Sequence, residues 1–248
     1  MVVVLKIYKE WKSDISLKHI EREMYNQIAL DHPHIIKLYA VFAESSQLIM
    51  VQEYFPSVNL HSFLKLRSGK INEEFLQNVI IRQLLDALIY VHESGICHRD
   101  IKLENILVSN DHTTVKICDF GVSIDLNIDN ATTRCGTDDY MAPEVVNCPY
   151  KTEWWHYKDR TDLYYDTSAD IWALGVMTYE LCVGMTPLID TSSKDNWLPK
   201  FPQFLSADVI NFISSCLNID PGLRPTATML KQSKWIKNAQ NTLRLTKV

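Results

Sequence analysis

Glycine is scarce in this chain, with 7 among 248 residues and none before Gly69. The first 68 residues therefore contain no glycine-rich loop whose bare backbone amides would cradle a phosphate. The six cysteines (97, 118, 135, 148, 182 and 216) form no Cys-x-x-Cys pair, so neither a zinc knuckle nor a disulfide framework is indicated and reduced thiols are expected. No uncharged run approaches the roughly eighteen residues of a membrane span, and apolar Met1 to Leu5 is too short for a signal-peptide core. A cytoplasmic or nuclear protein without a membrane partner is expected. Positive charge is also in deficit: 25 Lys and Arg against 30 Asp and Glu leave a formal charge of -5. That balance argues against a broad nucleic-acid footprint, and no nucleic-acid partner is expected.

What is present suffices for a substantial core. Hydrophobic residues make up 46% and charged residues 22%, suiting one globular unit or two closely packed lobes. Val2 to Tyr8 reads as a buried strand, and Ser16 to Leu30 as a helix with Ile20, Met24, Gln27 and Ile28 on one face. Ile35 to Phe42 and Gln47 to Tyr54 read as strands joined by a polar turn at Glu44 to Ser46. Glu73 to Glu93 has helical periodicity ended by Ser94-Gly95, and Ser168 to Val183 is a second apolar helix. A small sheet-rich front and a larger helical rear follow.

The chemistry concentrates in His98-Arg99-Asp100-Ile101-Lys102-Leu103-Glu104-Asn105 and in Asp119-Phe120-Gly121, fourteen residues further on. This spacing suits phosphoryl transfer, which needs the terminal phosphate, its metal ions and the acceptor oxygen held in line. Asp100 would accept or orient the acceptor proton, Asn105 and Asp119 would supply hard oxygens for magnesium, and Lys102 would face the transferring phosphate. Taken singly, any of these residues is more often a structural loop group.

Together they resemble the catalytic and metal-binding loops of eukaryotic protein kinases, and other landmarks of that family occur in order. The resemblance implies an α+β, two-lobed fold: a truncated small lobe at 1–51, a hinge at 52–58, a large lobe at 59–238 and a tail at 239–248. It also implies ATP and Mg2+ as cofactors, and a protein substrate with a Ser or Thr acceptor. Val3-Val4-Leu5-Lys6 looks like the strand whose lysine grips the nucleotide phosphates, and Glu23 like its ion-pair partner. Gln47 to Phe55 resembles the last small-lobe strand and hinge, with Gln52 as gatekeeper and the backbone of Glu53 and Phe55 facing adenine. Val4 and Leu107 would sandwich the adenine ring, and Asn59 would reach the ribose.

Gly136-Thr137-Asp138-Asp139-Tyr140-Met141-Ala142-Pro143-Glu144 looks like the end of an activation segment, with Glu144 paired to Arg224. Asp170-Ile171-Trp172-Ala173-Leu174-Gly175 matches the family's buried central helix, whose aspartate fixes the catalytic-loop backbone. Lys102 with Thr137 resembles the serine/threonine branch. Thr132-Thr133-Arg134-Cys135-Gly136-Thr137 is similar to the activation loop of Aurora-type kinases; it implies a phosphosite at Thr133, then Thr132, added by an activating kinase, with Arg99 and His19 receiving the phosphate. Gln27 falls where most kinases stack an apolar side chain on Leu38, His98 and Phe120, and Aurora-type kinases carry glutamine there. Glu104 would favour a basic residue upstream of the acceptor.

The pattern also breaks. Five residues precede Lys6, where the family has a glycine-rich hairpin, so weak ATP binding and slow transfer are expected of these residues. A binding protein of kinase fold without turnover is the competing expectation. The run Cys148 to Thr167 is long and carries Trp154, Trp155, Tyr157, Tyr164 and Tyr165, which suits either a docking surface or packing against the activation segment. Thr186-Pro187 to Phe201-Pro202 is short. Cys118 and Cys135 are expected to be inert thiols near the site.

Overall fold

The computed structural model describes residues 2–9, 14–45, 47–149, 163–189 and 198–238, with only the backbone of 14–19 described. The calls on Trp154, Trp155, Tyr157, Ser46 and the tail at 239–248 lie outside the described residues, as does part of the short 187–201 connection.

The front of the molecule is a three-stranded antiparallel sheet in the order β1-β3-β2, formed by β1 (Val3–Tyr8), β2 (Leu38–Glu44) and β3 (Gln47–Glu53). Helix α1 (Asp14–Ile28) lies against it. In β1, Val4, Lys6 and Tyr8 oppose Gln52, Met50 and Leu48 of β3, so the even-numbered side chains share one face. The expectation of a buried first strand is corrected: Leu5 and Ile7 are about half exposed, because β1 is an edge strand with one partner among the described residues. The helix face is also corrected. Ile28 is exposed, and the buried stripe is Ile20, Glu23, Gln27 and Leu30 with Asn26 beside it. These residues keep the three-and-four spacing of a docked helix face, but half the stripe is polar.

The apolar run from Ile35 is shared between two sheets rather than forming one strand. Ile36 N–H donates to Ile117 O at 2.9 Å and Ile117 N–H to His34 O at 2.9 Å, before the chain enters β2 at Leu38.

Beyond β3 come β4 (Ser57–Asn59), α2 (Leu60–Leu66), α3 (Glu73–Phe75), α4 (Arg82–Glu93) and β5 (Ile96–Cys97). The single helix expected from Glu73 to Glu93 is interrupted by a π-helical stretch, Leu76–Ile81, between α3 and α4. Then follow β6 (Ile106–Ser109), β7 (Val115–Ile117), β8 (Ile124–Asp125), α5 (Pro143–Val146), α6 (Ser168–Val183), α7 (Ala207–Cys216) and α8 (Ala227–Lys231). Strands β4, β6 and β7 make a second sheet, and β5 pairs with β8.

Helix α6 is the centre of the large lobe. Thirteen of its sixteen residues are buried, as its all-round apolar sequence requires. A Cβ on Gly175 would lie 2.6 Å from Cys216 Cβ, so the glycine lets α7 approach closely. No helix among the described residues is long and apolar enough to cross a membrane.

One carboxylate in this apolar helix is fully buried. Asp170 accepts from the backbone N–H of His98 at 2.9 Å and of Arg99 at 2.8 Å, and pairs with His92 Nε2 at 2.9 Å. Burial opposes the charge, but the His92 contact and the other donors hold the Asp170 carboxyl below its ordinary range. Asp170→Asn should lower the unfolding free energy by about 3 kcal/mol, since an amide cannot accept all three bonds. Urea denaturation reads this as an earlier midpoint at unchanged slope. A loss below about 0.5 kcal/mol would contradict the role given to Asp170.

Candidate active site

The loop between β5 and β6 is held from beneath by Asp170, and its backbone is unusual. Arg99 sits at φ 68°, a left-handed conformation that a non-glycine residue adopts at a cost. The two N–H bonds to Asp170 compensate, and the chain then turns Asp100 upward. His98, fully buried, has one satisfied tautomer: Nδ1 accepts from Asp100 N–H at 3.3 Å while Nε2 lies 3.3 Å from Cys118 O. Its ring meets Phe120 edge-on with centroids 4.8 Å apart.

Asp100, Lys102 and Thr137 form a closed triangle. Lys102 Nζ donates to Thr137 Oγ1 at 2.7 Å and lies 2.8 Å from Asp100 Oδ2, while the Thr137 hydroxyl donates to Asp100 Oδ1 at 2.8 Å. The approach depends on Gly136, at φ 102°, where a Cβ would stand 2.4 Å from Arg99 O. Asn105 turns its amide nitrogen to Asp100, at 2.8 Å from the backbone oxygen and 2.9 Å from Oδ2. Its Oδ1 has no hydrogen-bond partner among the described residues.

The opposite wall comes from the small lobe. Lys6 Nζ lies 2.6 Å from Glu23 Oε1 and 3.1 Å from Asp119 Oδ1, so one ammonium joins β1, α1 and the segment after β7. Burial alone would lower the Lys6 pKa, but Glu23, with Asp119 adding, holds it above the ordinary lysine value. Burial likewise opposes the charge on Asp119, and Lys6 outweighs it, so that carboxyl titrates low. Asp119 is half exposed and left-handed, at φ 62°. Asn105 Oδ1 and Asp119 Oδ2 are hard oxygen donors of the kind magnesium takes, and the residues present fit that ion.

A family sequence model described as "Protein kinase domain" matches residues 1–236. The chain belongs to the protein kinase family. This kinase domain is 37% identical over 228 residues to an Aurora kinase of Candida glabrata, covering 89% of this chain and 59% of that protein. It is 33% identical over 237 residues to an Aurora kinase of Encephalitozoon cuniculi, covering 92% and 81%. With Aurora kinase C of Mus musculus it shares 31% over 246 residues, covering 95% and 82%. The chain spans 59% and 57% of the length of the fungal relatives from Candida glabrata and Eremothecium gossypii.

The remaining candidates of this kinase domain sit as follows. Glu53 spends its N–H on Lys37 O at 2.8 Å and its carboxylate on Lys116 at 2.7 Å; Phe55 O accepts from Ser57 Oγ at 2.8 Å. Asn59 Oδ1 caps α2 by accepting from Ser62 N–H at 2.8 Å. Val4 stands on β1 beside Gln52, and Leu107 on β6 opposite Asn59. Glu104 is exposed. Glu144 and Arg224 make a bidentate pair at 2.6 and 2.8 Å, with Arg224 over the Trp172 ring.

Thr132 and Thr133 are buried, at 4% and 8% exposure, rather than presented at the surface. Arg99 is turned inward, onto Val122 O and Tyr165 Oη, the latter at 3.2 Å. The Tyr165 hydroxyl donates to Thr133 O at 2.8 Å, so this aromatic residue packs on the activation segment. The His19 side chain lies outside the described residues.

Several contributors are missing from the sequence reading. Tyr8 donates to Glu23 Oε2 at 2.6 Å, and its place two residues after Lys6 in a strand was a usable signal. Asn26 donates to Ser123 Oγ at 2.9 Å and Arg22 pairs with Asp129, joining α1 to the segment after Gly121. No local pattern marks those pairs.

The acid side of the stability profile follows from His98. Burial pushes its pKa down despite the carboxylates nearby, so the folded chain takes up this proton at lower pH than the unfolded chain, which does so below about pH 6.5. Wherever the unfolded state binds more protons, stability rises with pH. The melting temperature should therefore fall as pH drops from about 7 to about 5, with His32 and His34, also lowered chiefly by burial, adding in the same direction. Asp119 and Asp170 extend the loss into the carboxylate range, because depressed carboxyls lose their contribution as pH falls through their folded values. Calorimetry at matched ionic strength measures this; a flat profile over that window would refute a lowered His98 pKa.

Proposed function

We propose that this chain is a serine/threonine protein kinase that moves the terminal phosphate of ATP to a Ser or Thr hydroxyl of a protein substrate. The supporting observations are the closed triangle of Asp100, Lys102 and Thr137 and the ion-paired group of Lys6, Glu23 and Asp119. In this reading Gln52 to Val58 is the hinge, and adenine pairs with Glu53 O and Phe55 N–H between Val4 and Leu107.

Each residue has a physical task. Asp100 orients the acceptor hydroxyl and takes its proton, and Lys102 neutralises charge on the oxygens of the phosphate in flight. Lys6, kept cationic by Glu23, holds the other phosphates. Asn105 and Asp119 would hold Mg2+, which when bound neutralises phosphate charge. Glu104, exposed beside the site and close enough to Glu180 to affect its titration, supports a basic residue in the substrate. Phosphorylation of Thr133 by an activating kinase would require that Thr133 be uncovered and Arg99 released from Tyr165.

The half-exposed Leu5 and Ile7 on β1 favour the second reading, a kinase-fold binding protein without turnover.

Magnesium-ATP and a generic protein substrate separate the two. Transfer by the chain should exceed that of Asp119→Asn by about 100-fold or more, with phosphosites mapped by mass spectrometry. Equal incorporation in both would sink the enzymatic reading. Glu23→Gln should cut kcat by about tenfold or more, since Lys6 loses its 2.6 Å partner. An unchanged kcat would remove Glu23 from the machinery.

A further inference from the structure

Both oxygens of the Glu23 carboxylate are held from a single strand. Glu23 is buried, so each oxygen needs a donor inside the protein. Lys6 Nζ lies 2.6 Å from Oε1, and the Tyr8 hydroxyl donates to Oε2 at 2.6 Å. Lys6 and Tyr8 are two residues apart on β1, opposite Met50 and Leu48 of β3, so their side chains leave the same face of the sheet. The Tyr8 ring centroid is also 5.5 Å from Lys6 Nζ, within reach of a cation–π contact. One side chain thus touches both members of the ion pair. Lys6 is the shared member, since Asp119 Oδ1 is 3.1 Å from the same ammonium.

We propose that Tyr8 is a positioning residue for Lys6, its hydroxyl holding Glu23 Oε2 so that Oε1 stays aimed at the ammonium. A carboxylate bonded at one oxygen rotates about its last carbon–carbon bond. A second short, charge-assisted bond fixes its plane and therefore the direction from which it attracts Lys6. Burial first, and Glu23 next, push the Tyr8 phenol above its ordinary value, so the hydroxyl keeps its proton and remains a donor at neutral pH. The arrangement also suits an exchange of partners at Lys6. Each time Lys6 turned toward nucleotide phosphates it would leave the buried Glu23 charge short of donors, a costly state. Tyr8 keeps one oxygen occupied throughout and lowers that cost.

The nucleotide part of this inference rests on the proposed kinase activity, whereas the hold of Tyr8 on Glu23 and Lys6 does not. Tyr8→Phe keeps the ring and its packing and removes only the hydroxyl. The first readout is acetylation of Lys6 by acetic anhydride in the nucleotide-free chain, quantified by mass spectrometry against the other lysines. Tyr8→Phe should speed it by about threefold, as a less firmly held ammonium gives up its proton more readily. The second is a two-residue cycle, Tyr8→Phe and Glu23→Met alone and together, read by urea denaturation. Tyr8→Phe should raise the unfolding equilibrium constant by about tenfold in the natural background and by less than about twofold when Glu23 is already Met. Unchanged acetylation of Lys6, or equal effects of Tyr8→Phe in both backgrounds, would overturn the proposal. If Glu23→Met fails to fold, the acetylation result decides. For the reaction itself, kcat should fall about fivefold in Tyr8→Phe with the KM for ATP within about twofold, and an unchanged kcat would overturn the role in transfer. Absence of any transfer above Asp119→Asn in the natural chain would refute the enzymatic reading alone, leaving acetylation and the cycle to decide the hold on Lys6.

Discussion

The carboxylate of Asp170 is the constraint on which the candidate active site depends. It lies in an otherwise apolar helix at the centre of the large lobe, where an uncompensated charge is not tolerated. Its compensation is the loop it organises: two backbone N–H groups and one imidazole end on its two oxygens. This ties a left-handed Arg99 to a rigid helix, and the direction of Asp100 follows from that backbone. The packing of α6 and the chemistry of the loop are thus one problem with one solution.

The other half of the site is joined by charge across great sequence distance. Lys6 and Asp119 are 113 residues apart, and Glu23 comes from a third element. None of these three is placed by its own neighbours. Their meeting requires that β1, α1 and the segment after β7 all be seated, which makes the cluster a reporter of lobe closure. Asp119 is still half exposed, so the cluster remains open to ligand.

Much of this was readable in the sequence, and the reasons differ by residue. Asp100, Lys102 and Asn105 were legible because a single loop carries them at fixed spacing, so recognising the loop recognises the set. Lys6 and Glu23 needed the order of the landmarks, and the 2.6 Å contact agrees with that order. Helix α6 was found to the residue, since an apolar helix with two clear ends leaves no choice of face. The failures lie where periodicity is shared between interactions. The apolar residues of β1 suggested burial, but hydrophobicity does not say whether a strand has one neighbour or two. Ile28 suggested the inner face of α1, yet the true inner face is set by Glu23, Asn26 and Gln27, whose partners are distant in sequence. The π-helical stretch and the hydroxyl of Tyr165 on Arg99 have no local signature.

The polar underside of α1 has a thermal consequence. A helix seated by Glu23, Asn26, Gln27 and the Arg22–Asp129 pair covers less apolar area than one seated by leucines, and heat capacity of exposure scales with apolar area. Its release from the sheet therefore carries a small heat-capacity change, while the large-lobe core around α6 carries a large one. The two parts have differently curved stability profiles, so the balance between seated and released α1 shifts with temperature independently of the unfolding of the core. In this fold α1 is thus held to its neighbours by hydrogen bonds and ion pairs more than by apolar area, unlike the core around α6.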